Sequence, residues 1–123
     1  MTLLDSLLAR MRATPDLQDI QVLENETVDD ETYVFKVRAS IVSSFLQIRF
    51  LADQDLRRYS FQLYSDRPLL RWDNSPHFLD LENSPHHFHN QNGNVSSSAL
   101  TGDLLADYEV VIAAVLDYMA GKI

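Results

Sequence analysis

A chain of 123 residues fits one compact domain, residues 1–123, burying roughly two thirds of its unfolded surface. With 46% hydrophobic and 23% charged residues it is not a disordered polymer, and no apolar run approaches the ~18 residues of a membrane span. Zero cysteines exclude disulfides, iron–sulfur clusters and thiolate zinc sites, while a net charge of −8 argues, averaged over the chain, against indiscriminate nucleic-acid binding.

The segment Met1–Asp5 has no basic region and no small-residue cleavage site, so the expected location is the cytoplasm, with no membrane attachment. Leu3, Leu4, Leu7, Leu8 and Met11 recur at helical spacing behind Thr2 and Asp5, and Pro15 ends the pattern, which predicts a short amphipathic helix. The period then becomes two. Ile20 and Val22; Tyr33, Phe35, Val37, Ala39 and Ile41; Leu46, Ile48 and Phe50; Tyr59, Phe61 and Leu63; and Leu70 and Trp72 predict five strands. Short connections rich in Asp, Ser and Pro favour hairpins. The alternate residues Lys36, Arg38, Gln47, Arg49, Arg58, Gln62, Tyr64, Arg71 and Asp73 then share the opposite face. At the C-terminal end, Leu104, Leu105, Tyr108, Val111, Ile112, Val115, Leu116 and Met119 follow Asp103 and precede Gly121, predicting a second helix. Its far side is weakly polar, which fits close packing better than a contact with a second chain; the oligomeric state stays open, a dimer included. The expected fold is therefore α+β, a five-stranded antiparallel meander packed on its apolar face by an N-terminal and a C-terminal helix.

Charge is unevenly spread. Residues 36–73 carry seven Lys or Arg against four Asp, giving +3, and the rest of the chain is −11. One face can thus attract a polyanion while the remainder repels it.

Between the last predicted strand and the second helix lie residues 74–102, without usable periodicity, and connections beyond ~15 residues in a compact domain are commonly functional. All four histidines, His77, His86, His87 and His89, fall there, and Asn74-Ser75-Pro76-His77 is echoed by Asn83-Ser84-Pro85-His86. Each proline stiffens the backbone ahead of an imidazole. Grouped histidines can divide the duties of general base, general acid and electrostatic stabiliser. Cleavage of RNA by its own 2′-hydroxyl needs only these, plus a cation for the charged phosphorane. Asp73 can orient one imidazole through its second nitrogen. The catalytic candidates are His77, His86, His87, His89 and Asp73, and the phosphate and substrate candidates are Arg38, Arg49, Arg71 and Asn74.

The same groups also read as a divalent metal site, with His87 and His89, or His86 and His89, joining Asp73 and His77 to offer nitrogen and oxygen to zinc, manganese, nickel or iron. A third reading is a surface loop that recognises a partner chain without chemistry. Acid–base catalysis without a cofactor is preferred. Three glycines cannot form a Walker loop or a dinucleotide fingerprint, Ser96–Ser98 sit in no nucleophile elbow, and alternation places Trp72 in the core.

The run Arg71-Trp72-Asp73-Asn74-Ser75-Pro76-His77, followed by Pro85-His86-His87-Phe88-His89, resembles the signature of the TumE family, in which an aromatic residue precedes Asp-Asn-Ala-Pro-His-His and, after a short gap, Pro-His-His-Lys-His. This chain has Trp72 for the usual tyrosine, Ser75 for alanine, Phe78 for the second histidine and Phe88 for lysine, so it lacks one imidazole and one cation of the pattern. The resemblance implies the toxin of a type II toxin–antitoxin pair, held inactive by an antitoxin protein, a helix-turn-helix protein being one form. Joined to the chemistry of the loop, it leads to the expectation of a ribonuclease in which His77 and His89 share base and acid duties.

Overall fold

The structure, a computed structural model, describes residues 1–122. It opens with helix α1 (Leu3–Arg12). The Thr2 hydroxyl accepts from the Asp5 amide at 3.0 Å, and the Asp5 carboxylate accepts from the Thr2 amide at 3.1 Å. This reciprocal cap satisfies two amides that the first turn leaves free. Leu4, Leu7, Leu8 and Met11 form its buried stripe.

Seven strands follow, β1 (Gln18–Asp29), β2 (Thr32–Ile41), β3 (Ser44–Ala52), β4 (Arg57–Tyr64), β5 (Pro68–Asp73), β6 (His87–His89) and β7 (Val95–Ser97), before helix α2 (Leu104–Met119). They pair in chain order as one antiparallel meander. The α+β class and the two helices match the expectation; the strand number does not, because the supposedly structureless stretch 74–102 contributes β6 and β7. At three residues each, these strands are too short to display a period. Strand β1 is also longer than Ile20 and Val22 imply; it is an edge strand, exposed along most of its length and interrupted by three register shifts, so it shows no alternation.

Alternation in β2–β5 sends Phe35, Val37, Leu46, Ile48, Phe61, Leu63 and Trp72 to the inner face, where one core joins them to both helices. Tyr108 of α2 bonds Thr14 at 2.8 Å and Glu109 bonds Arg10 at 3.0 Å, tying the helices together. The turn from β2 to β3 places Val42 at φ 55°, a left-handed conformation that costs a β-branched residue strain energy. Both helices belong to the inner core, so the outer face carries no helix and is mostly polar. Across it run two rows. Lys36, Arg49, Ser60, Asp73 and His87 are neighbours in one, and Arg38, Gln47, Gln62, Arg71 and His89 in the other. The long connection thus returns its histidines to the sheet in register with the arginines. Among the described residues no helix is long and apolar enough to cross a membrane.

Candidate active site

Asp73, at the end of β5, is the hub. It is 4% exposed, yet Arg71 Nε donates to Oδ2 at 2.8 Å and the Ser75 amide donates to Oδ1 at 3.0 Å. His87 Nε2 lies 2.9 Å from the same Oδ1, and His89 Nε2 lies 3.8 Å from Oδ2. Burial by itself raises a carboxyl pKa, but the bonds from Arg71 and Ser75 and the charges of His87 and Arg71 outweigh it and hold Asp73 below the usual carboxylate range.

The buried His87 ring has acceptors on both sides. The Pro85 carbonyl, 3.0 Å from Nδ1, can only accept, so Nδ1 carries a proton. Nε2 then faces an ionised carboxylate at 2.9 Å, and two lone pairs at that distance repel unless a cation lies between them, either a proton on Nε2 or a metal ion. His89 is two residues along β6 on the same face, with its ring centre 4.9 Å from that of His87. Burial, with His87 and Arg71 adding to it, lowers the His89 pKa against the opposing pull of Asp73. Phe78 packs its ring edgewise on both imidazoles.

Arg71 connects this cluster to open surface. On one side it lines a concavity of about 390 Å³ with Arg49, Arg58, Ser60 and the exposed His77; on the other it lines a second hollow with His89, Asn90 and Gly93. One guanidinium, braced from beneath by a buried carboxylate, therefore borders the hollows of both His77 and His89.

The four histidines do not all converge. Residues 86 and 87 fall on opposite sides of the sheet. His86 bonds the Tyr59 hydroxyl at 2.7 Å through Nδ1 and stacks on its ring, and burial raises the Tyr59 pKa. His86 thus fastens the loop to the inner side. His87 is 1% exposed, which bars it from touching a polymeric substrate. Asn74 is buried too. Its Oδ1 accepts from the Tyr59 amide at 3.0 Å and its Nδ2 donates to the Arg57 carbonyl at 2.8 Å, so it closes the start of β4, and its burial keeps it from a polymeric ligand. Arg38 lies apart from the concavity, its guanidinium 5.0 Å from the Phe45 ring centre. Arg58, in contrast, reaches the concavity and donates to the Asn74 carbonyl at 3.2 Å; alternation had placed it on this face, but nothing in its sequence neighbourhood singled it out.

For a metal, one ligand atom from each of Asp73, His87 and His89 lies within 4.8 Å of the others. His77 is not in that group. The carbonyl bond at His87 Nδ1 aims Nε2 as in many metal-bound imidazoles. Against this, Arg71 already holds Oδ2, placing a fixed positive charge beside any bound cation.

The model of the family described as Toxin TumE matches residues 4–123, and the chain belongs to that family. No curated protein and no solved structure matches the chain.

Proposed function

We propose that this member of the TumE toxin family arrests growth as a metal-independent ribonuclease and is silenced by an antitoxin that covers the Arg71 surface. The observation that carries the reading is the position of Arg71, anchored on buried Asp73 and bordering the hollows of both His77 and His89. Its guanidinium matches a phosphate in shape and charge, and Arg49 and Arg58 add cations to one of these hollows. His89, whose pKa is lowered, is neutral at cellular pH and takes the proton of the ribose 2′-hydroxyl. The 2′-oxygen attacks phosphorus, and the bond to the 5′-oxygen breaks as His77 donates a proton to that oxygen. The products are a 2′,3′-cyclic phosphate and a 5′-hydroxyl. His87 and Asp73 hold Arg71 and His89 in place without contacting RNA.

The test incubates the untagged full chain with an RNA oligonucleotide in EDTA and identifies the ends by mass spectrometry. Cyclic phosphate and 5′-hydroxyl ends are expected, and both are expected to disappear with His77→Ala or His89→Ala. The cluster of Asp73, His87 and His89 favours a second reading, a metal-dependent hydrolase on the same surface. Loss of cleavage in EDTA with recovery on adding zinc or manganese would replace the first reading by the second. Growth arrest that persists in the double variant lacking both His77 and His89 would refute chemistry of either kind.

A further inference from the structure

The outer face holds a second feature that the cleavage chemistry does not use. Phe45 on β3 and Tyr64 on β4 are registered neighbours with ring centres 5.6 Å apart. The adjacent residues Leu46 and Leu63 are fully buried in the core, so both rings project from the face that carries no helix. Pro68 pairs with Tyr64 and continues the row onto β5, while Arg38 sits over the Phe45 ring.

Two residues along the strands, roughly 7 Å away, Gln47 and Gln62 are neighbours between Arg38 and Arg71. Gln62 Oε1 accepts from Arg71 at 3.2 Å, and Gln47 Oε1 accepts from the Tyr64 hydroxyl at 3.4 Å. With each amide oxygen engaged, each amide nitrogen is the donor presented to a ligand. Gln47, Gln62 and Tyr64 line a concavity of about 370 Å³ with Arg67 and Asp66 at its rim.

We propose that this row is a nucleobase subsite for single-stranded RNA, resting on the ribonuclease reading above. An unpaired base next to the scissile phosphate stacks on Tyr64, and its ring nitrogen or carbonyl oxygen accepts from the two glutamines. Arg71 bridges the two sites, since it bonds both Gln62 and Asp73. Aromatic rings and amides on a sheet face beside arginines suit RNA whose bases are unstacked; a duplex hides those faces. Four Arg and one Lys on this face, in a chain of net charge −8, supply the complementary charge.

The experiment uses the full chain and a fluorescent 2′-O-methyl RNA single strand, which has no free 2′-hydroxyl to attack and so reports binding alone by anisotropy. An abasic residue is moved along the strand. One position is expected at which losing the base weakens binding roughly tenfold. Tyr64→Leu, checked for folding by circular dichroism, is expected to erase that difference, and Tyr64→Phe to retain it. An abasic series with no dependence on position, or Tyr64→Leu binding like the wild type, overturns the subsite and leaves the ribonuclease reading standing. Base-dependent binding by a chain that cleaves no RNA supports the subsite and refutes the ribonuclease. Failure to bind any single strand, with Tyr64→Leu instead weakening an antitoxin complex, overturns the proposal in favour of a protein interface.

Discussion

Replacing Asp73 with asparagine tests the hub directly. The amide can still accept from the Ser75 amide through Oδ1, but it presents an NH₂ group where Arg71 Nε donates at 2.8 Å, and it removes the negative charge 2.9 Å from buried His87. Losing the charge-assisted bond that Arg71 donates costs ~1.5–3 kcal/mol, so the expected loss is about 2 kcal/mol at pH 7, or about 8 °C in melting temperature for a domain of this size. The pH dependence has a definite sign. Because the folded-state pKa of Asp73 is depressed, its contribution is complete above the unfolded value of ~3.9 and is lost as the pH falls through the folded value. Urea titrations of wild type and Asp73→Asn from pH 7 downward should show their widest separation near neutrality and a closing gap below about pH 4. A gap under ~0.5 kcal/mol at pH 7, the range of an ordinary surface substitution, or one that stays constant into acid, would refute the hub.

The lowered His89 pKa predicts that, under the proposed mechanism, the acid limb of cleavage falls off below the ordinary imidazole value of ~6.5, a shift that a kcat/KM profile against pH reads directly; a limb at or above that value would remove His89 as the base. Asn74→Ala should act on stability instead of RNA affinity, costing ~1–3 kcal/mol because the buried Tyr59 amide and Arg57 carbonyl lose their partner, as denaturant melts combined with anisotropy would show. Arg71→Lys keeps the charge but not the paired geometry that holds Asp73 and Gln62 together, so RNA cleavage should fall by at least about tenfold, the equivalent of ~1.4 kcal/mol.

Both helices, strands β2 to β5 and the polar outer face were legible in the sequence, because each repeats its pattern long enough to be read. Thr2 and Asp5 marked the start of α1 through a specific pair of bonds, and Trp72 lies inside, as its alternation with Arg71 and Asp73 requires. Legibility ended where an element has too few residues to repeat or no buried face to pattern. β6 is a single cycle, His87-Phe88-His89, with Phe88 turned inward against Trp72 at 5.0 Å. That polar–apolar–polar triplet is the one signal that could have exposed it. For the same reason sequence distance groups histidines that strand parity separates, sending His87 and His89 to Asp73 and His86 to Tyr59. Asn74 opens the long connection in the sequence, which hides that its side-chain bonds to the Tyr59 amide and the Arg57 carbonyl enclose it against the start of β4.

Under the proposed function, the charge pattern gives an acidic chain a basic face for a polyanion. β1, at the far edge of the sheet, carries Asp19, Glu24, Glu26 and Asp29, and its Glu24 lies 3.9 Å from Lys36. Across the meander the balance reverses strand by strand, so that β3 to β5 present Arg49, Arg58 and Arg71 to the concavity that His77 borders. Asp73 is the acidic group set among them, and it is buried and engaged by Arg71, Ser75 and His87, which limits the field it presents to solvent. A phosphate at Arg71, as proposed, would meet cations above a satisfied carboxylate. The same separation, acidic edge against basic face, steers a phosphate chain toward the arginine side of the sheet, and raising the ionic strength should weaken RNA binding steeply under the proposed function, where phosphate contacts at these arginines carry it.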